Sequence, residues 1–255
     1  MVNGLDVFAR FFAEDTSRYV LIGGVATFLV LEDAGLAARA TKDLDIVLCV
    51  EALDADFGAK LWRFINLGGY EIRQIGDAGR CFYRFAKPRN PTFPAMLEFF
   101  AREPGYLPLA AGAHLTPVPF EQAVQSLSAI LLDTDYYAFL HAHTVHLVGV
   151  NVVTEKALIP LKARAWLDLS ARKAAGGDVD SKHLSKHRND VLRLLPLLAT
   201  EDRIPAPPSI QADIVQFVLA VQTQVTPELL RQFRIAEAPV ILLTRLRTCF
   251  GVATP

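Results

Sequence analysis

The chain is poor in the features that most directly mark a compartment or a chemistry. Only three cysteines occur in 255 residues, Cys49, Cys81 and Cys249. They are odd in number, widely spaced, set among apolar neighbours and free of any CxxC pair. That argues against a disulfide framework or thiolate zinc cluster and for buried free thiols in a reducing cytoplasm. No apolar run reaches the ~18–20 residues of a membrane helix; the longest, Tyr19 to Leu31, is interrupted by Gly23-Gly24. The opening MVNGLDVFARFF has no basic stretch ahead of an apolar core and cleavage site, so no secretory signal is expected. Neither sign of charge prevails: 26 Lys and Arg face 27 Asp and Glu, for a net −1. Such a balance signals neither a globally nucleic-acid-coating surface nor an acidic tail. Walker loops, GxGxxG and GxSxG are missing, which disfavours a P-loop enzyme, a dinucleotide fold and a serine hydrolase. His141, His143 and His146 have no acid or cysteine nearby to complete a zinc set, and His183-x-x-x-His187 lacks the glutamate of a zinc protease motif.

What is present describes a folded protein. Hydrophobic residues make up 52% and charged ones 21%, which excludes disorder and allows one large or two small domains. Short β-branched and aromatic runs bounded by Gly, Pro or Asp predict strands at Tyr19–Ile22, Leu44–Val50, Tyr70–Ile75, Arg80–Phe85, Ala95–Phe100 and His146–Val152. Helices are expected at Leu5–Ala13, Val25–Ala34, Asp56–Leu67 and Phe120–Leu132. From Thr154, a plausible N-cap, the pattern turns helical: to about Lys173 with a kink or break at Pro160, then from Ser181 or Ser185 to Ala199, Ser209–Val225, Pro227–Ala236 and Val240–Phe250. The expected organisation is α/β (α+β), with a mixed-sheet domain over 1–150 and a helical domain over 151–255.

The most informative stretch is Thr41-Lys42-Asp43-Leu44-Asp45-Ile46-Val47-Leu48. Side chains alternate along a strand, so Asp43 and Asp45 share a face while Leu44, Ile46 and Leu48 enter the core. Adjacent carboxylates repel, and a divalent cation between them removes the repulsion while using both as hard oxygen ligands. Upstream, Tyr19–Ile22, Gly23-Gly24 and the following residues read as strand, tight turn and helix. Glycines permit close backbone approach, and a helix N-terminus favours a phosphate; the alternative is a turn that simply needs positive φ. Glu98 is the single charge in the apolar run Pro94–Phe100. Buried there, it must ligate metal or find a partner such as Arg80, Arg84 or Arg102.

Gly-Gly, then Thr-Lys-Asp-Leu-Asp on a strand, then an isolated Glu on a later strand resembles the nucleotidyltransferase superfamily with a DNA polymerase β-type palm. Thr154–Trp166 and Lys186–Val191 resemble, more narrowly, the AbiEii-type nucleotidyltransferases of type IV toxin–antitoxin systems. The resemblance covers about 19–195 and implies a palm followed by a helical domain that closes the active-site cleft. It implies Mg²⁺ (or Mn²⁺) on Asp43, Asp45 and Glu98, with Gly23, Gly24, Thr41, Lys162 and Asp190 binding the nucleoside triphosphate. Asp43, Asp45, Glu98 and Lys162 would be the catalytic set. It further implies transfer of NMP to an acceptor hydroxyl, an RNA acceptor such as the tRNA 3′ end, a growth-arresting role and a cognate antitoxin, with no membrane partner. Two rivals stay open: an enzyme with a small-molecule acceptor, and a non-catalytic nucleotide- or partner-binding module.

Residues read alone leave further alternatives in the second half. Lys162 lies at the edge of an apolar helical face, where a lysine can snorkel to water with no other role. Asp190 can form a helical ion pair with Lys186. Residues 151–200 carry nine Lys or Arg and five Asp or Glu, a net +4. Arg172, Lys173, Lys182, Lys186, Arg188 and Arg193 therefore form either a surface for an RNA backbone or a solvated helix face.

Overall fold

The computed structural model describes residues 2–49, 54–75, 81–101, 116–117, 130 and 133–252. It is mixed α/β, with one mixed sheet and a helical region. Strands β1 Tyr19–Ile22, β2 Asp43–Leu48, β3 Glu71–Ile75, β4 Cys81–Ala86, β5 Met96–Ala101, β6 Thr116–Pro117, β7 Thr144–Leu147 and β8 Val150–Val153 are arranged in the order β6-β3-β4-β5-β2-β1-β8-β7. The β2–β5, β1–β8 and β3–β6 pairs are parallel, and the others are antiparallel. Helices α1 Leu5–Phe11, α2 Gly23–Asp33, α3 Ala55–Gly68, α4 Thr134–Ala142, α5 Glu155–Ala174, α6 Ser181–Leu194, α7 Pro208–Val221, α8 Pro227–Gln232 and α9 Pro239–Cys249 complete the described elements. The helix expected over Phe120–Leu132 falls outside the described residues except for Ile130, and so do Arg80 and Arg102.

The chain forms two compact units. One comprises the described residues within Met1–Leu29, Ala38–Glu121 and Thr144–Val153; the other those within Val30–Ala37, Gln122–His143 and Thr154–Pro255. In the first, alternation along the strands supplies the core. Leu44, Ile46, Phe85, Leu97 and Phe99 are fully buried on one sheet face. Tyr19 shares that face and meets Phe8 of α1 edge-on, with Phe12 and Phe64 beside them. Trp62 of α3 packs edge-on against Phe85. Asp54 caps α3 by accepting from the Phe57 amide, and Gly69 closes it at φ 63.

In the second unit, α5 packs against α6 and α7. Its buried residues Leu158, Leu161 and Leu169 face the interior, and Trp166 meets Phe217 edge-on. Asp133, Asp180 and Thr226 cap α4, α6 and α8 through their side chains. Thr154 stands at the N-cap of α5 but makes no capping bond with its side chain. Of the kink or break expected at Pro160, the break is corrected: α5 is one continuous helix with the proline in its second turn. There the missing N–H forfeits a single i→i−4 bond. The strand expected over His146–Val152 is a hairpin, β7–β8, turning at Val148 (φ 44) and Gly149 (φ 82). Cys49 and Cys249 are buried free thiols.

Candidate functional site

Register builds the site. Asp45 is paired with Ile22 on antiparallel β1 and with Glu98 on parallel β5; Glu98 is paired with Arg84 on antiparallel β4. Arg84, Glu98 and Asp45 thus form one row across three neighbouring strands, on the face opposite Leu44, Ile46, Leu97 and Phe99. Asp43 shares that face two residues before Asp45, roughly 6.6–6.8 Å away along the strand. Three acids and one arginine are therefore brought to one patch of the sheet.

Their interactions differ from a ring of open carboxylates. Arg84 donates from Nε to Glu98 Oε1 at 2.7 Å and lies 2.6 Å from it through a second guanidinium nitrogen. Both residues are 7% exposed. A buried carboxylate must be paired, and Arg84 is the partner. Burial raises the Glu98 carboxyl from 4.5 to about 8, helped by the charge of Asp45 and a hydrogen bond with it, and opposed by Arg84. An arginine in hydrogen-bonding contact is not enough to offset desolvation plus a like charge next door.

The glycine pair is explained by Asp45 and Thr41. Gly23 and Gly24 are the first two residues of α2. Gly23 has φ 65, and a Cβ there would fall 1.8 Å from Asp45 Oδ2; one on Gly24 would fall 2.9 Å from Thr41 Oγ1. The Gly24 amide donates to Asp45 Oδ2 at 3.2 Å, so this first-turn N–H, expected to face a phosphate, faces a carboxylate of the chain itself. Thr27 Oγ1 donates to the Gly23 carbonyl at 2.7 Å.

Among the described residues no group of three or more His, Cys, Asp or Glu is arranged to hold a metal ion. The donor chemistry still fits one hard divalent cation. Asp43 and Asp45 present carboxylates on one strand face, and Asp45 adds its like charge to the burial that raises the neighbouring Glu98 carboxyl. Glu98 itself, held by Arg84 and hydrogen-bonded with Asp45, is not disposed as a third open ligand.

In the second unit the structure joins Lys162 with Asp190 rather than leaving the lysine to snorkel. Lys162 Nζ donates to Asp190 Oδ2 at 3.0 Å, and the two residues are 5% and 2% exposed. Arg193 lies 3.7 Å from the other Asp190 oxygen. His187, one turn before Asp190 on α6, has a buried Nδ1 with no partner among the described residues. Burial, then the charges of Lys162 and Lys186, push it from 6.5 down to about 3. The sequence reading missed the Tyr136–Asp213–Arg164 network, in which Tyr136 Oη donates to Asp213 at 2.7 Å and Arg164 Nη1 contacts both Asp213 oxygens at 3.0 Å. No spacing rule connects positions so far apart in the chain.

No protein-family model matches the chain, and no curated protein does. Among solved structures it is similar to an antigenic nucleotidyltransferase-like protein from Paracoccidioides brasiliensis. The two are 16% identical over 91% of this chain and 94% of that one, with a TM-score of 0.43. It is similar also to Cid1 poly(U) polymerase bound to MgATP, at 8% identity over 87% of this chain and 49% of that one, TM-score 0.27. A further Cid1 structure gives 12% identity over 88% and 66%, TM-score 0.30. The chain thus spans about half to two thirds of the length of the Cid1 chains. At these identities and scores the likeness assigns neither a family nor a reaction.

Proposed function

We propose that this protein is a metal-dependent nucleotidyltransferase that moves NMP from a nucleoside triphosphate to an RNA hydroxyl. The observation that carries the reading is the pairing of Asp45 with Glu98 on adjacent parallel strands, with Asp43 on the same face and the Gly23-Gly24 pair packed against Asp45. Carboxylates concentrated at one patch, one of them raised toward neutrality, suit phosphoryl-group chemistry better than they suit stability.

A Mg²⁺ or Mn²⁺ held by Asp43 and Asp45 would supply the positive charge that a triphosphate requires. The chain's own residues do the rest. Asp45 is fixed by the Gly24 amide and by its neighbour Glu98. In the metal-free protein burial and Asp45 raise the Glu98 carboxyl; a cation on Asp45 would offset the repulsion and leave Glu98 ionised as a base. It accepts the proton of the acceptor hydroxyl as that oxygen bonds to the α-phosphorus and the bond to the leaving pyrophosphate breaks. Arg84 orients Glu98 and stabilises its ionised form. Thr41 fixes the approach to the glycine pair. The role of reaching the triphosphate falls to Lys162 by the sequence resemblance, with Asp190 holding its ammonium. The AbiEii-type role, with a tRNA 3′ end as acceptor and an antitoxin as partner, is the physiological setting that follows from the sequence resemblance.

Incubation with each α-³²P-labelled NTP, Mg²⁺ and total RNA tests the reading. Label on RNA is the expected result. Label only on small hydroxyl compounds replaces the acceptor, and NTP-dependent thermal stabilisation with no pyrophosphate release replaces catalysis by binding.

A further inference from the structure

The helical unit holds an open cavity of about 410 Å³, a size common for ligand sites, between one face of α5, one face of α6 and the turn after α7. Its wall includes Trp166, Ser170 and Lys173 on α5, Ser185 and Arg188 on α6, and Gln224. The α5 residues recur at helical spacing, so they line a single stripe. Trp166 is pinned behind them by its edge-on contact with Phe217.

Among the described residues no carboxylate compensates the charge of this cavity. Arg188 is partly buried, yet every hydrogen bond of its guanidinium goes to a neutral amide oxygen. Nη1 donates to Gln224 Oε1 at 3.0 Å, and Nε and Nη2 donate to Asn189 Oδ1 at 3.2 Å. Lys173 Nζ donates to the Ser181 hydroxyl. Neither cation forms an ion pair with a carboxylate among the described residues, whereas Arg164, Lys162 and Arg193 on the same two helices all do. Burial lowers the Arg188 pKa with no acid to oppose it. A half-desolvated guanidinium held in place by amides, with an ammonium and two serine hydroxyls around the same space, is a fixed set of donors without an anionic acceptor among the described residues.

We propose that this cavity is a phosphate-binding site for a single-stranded RNA, with Arg188 and Lys173 as its two cationic ligands. The choice of RNA rests on the proposed function, which needs a polynucleotide acceptor; the phosphate chemistry rests on the cavity alone. Further cations flank it on the same elements: Arg172 precedes Lys173, and Lys182 opens α6. A strand seated on Arg188 therefore passes other positive charges, and affinity should depend on salt.

The test is fluorescence polarisation of the full-length protein with a fluorescein-labelled single-stranded RNA of about 12 nucleotides. It is run in EDTA without NTP, so that transfer plays no part. Wild type binds. Arg188→Gln and Lys173→Gln each weaken binding about tenfold across sequences and lower the salt slope by about 0.7. Ser185→Glu, which sets a carboxylate among the donors, weakens it as much and carries the test if Arg188→Gln does not fold. Arg231→Gln, at an exposed ion pair with Glu228, leaves affinity unchanged. Absence of RNA binding, or wild-type affinity in Arg188→Gln and Ser185→Glu, overturns the proposal. Saturation by inorganic phosphate or free NMP with no binding of the strand overturns it too, by naming a different source of the phosphate. If no NTP labels any acceptor while Arg188→Gln loses RNA, the transfer reading falls and this site stands.

Discussion

Replacing Glu98 by Gln tests the electrostatics of the acidic patch most sharply. Gln keeps the size of Glu and an oxygen for Arg84, and removes the charge that opposes Asp45. In the wild type the Glu98 carboxyl is raised from 4.5 to about 8, so between those values the folded protein binds a proton that the unfolded chain releases. Stability from this group is therefore complete below about pH 4.5 and is lost as pH rises through 8. The rise from 4.5 to about 8 is driven first by burial and then by Asp45. Arg84 contact and residual hydration leave a few kcal/mol as the working figure, which is several degrees of melting temperature for a chain of this length. The assay is thermal unfolding in EDTA from pH 5 to pH 9 for wild type and Glu98→Gln. Wild type should lose several degrees more than the variant over that range, the other titrating groups being common to both. Parallel curves would refute the placement of a buried, raised carboxyl beside Asp45.

Other consequences follow from the same geometry. Arg84→Met strips the buried Glu98 carboxyl of its donor and should cost about 1–3 kcal/mol in urea unfolding at neutral pH; combined with Glu98→Gln the loss should be clearly less than additive, and simple additivity would deny the pair. Gly23→Ala places a methyl against Asp45 Oδ2 at positive φ and should destabilise by about 1–3 kcal/mol, read from the same denaturation curves; an unchanged midpoint would contradict the close approach. His187, lowered to about 3 by burial and Lys162, should show no imidazole titration by NMR between pH 5 and 8. Its folded value lies below the unfolded 6.5, so its contribution to stability is lost as pH falls below 6.5, and a midpoint near 6.5 would place it in water.

Much of the fold is legible in the sequence because local signals agree there. Tyr19–Ile22 is a strand with the expected limits, and burial alternates over Asp43–Ile46 as the pattern requires before the strand is buried on both faces at Val47 and Leu48. Helix α4, Thr134–Ala142, is absent from the expected elements: Tyr136, Tyr137 and Phe139 favour strands, and the Asp133 cap that starts it is a single residue. The β7–β8 turn escapes notice since Val148 stands where such turns usually carry Asn or Gly. At the site, chain position shows that Glu98 needs a partner but not which one. Arg84 is chosen by the antiparallel register of β4 and β5, a long-range property. The contact of Asp45 with the Gly24 amide depends in the same way on β1 lying beside β2. That Arg188 meets amides and no carboxylate among the described residues shows only in three dimensions.

Pyrophosphate release by wild type and Asp45→Asn, with each NTP, Mg²⁺ and total RNA, tests the central claim most directly. The account predicts RNA-dependent release by the wild type and a fall of at least about 10²–10³-fold in the variant, the size seen on losing one preorganised electrostatic group. Equal release by the two proteins, or none from the wild type with any NTP, would contradict it.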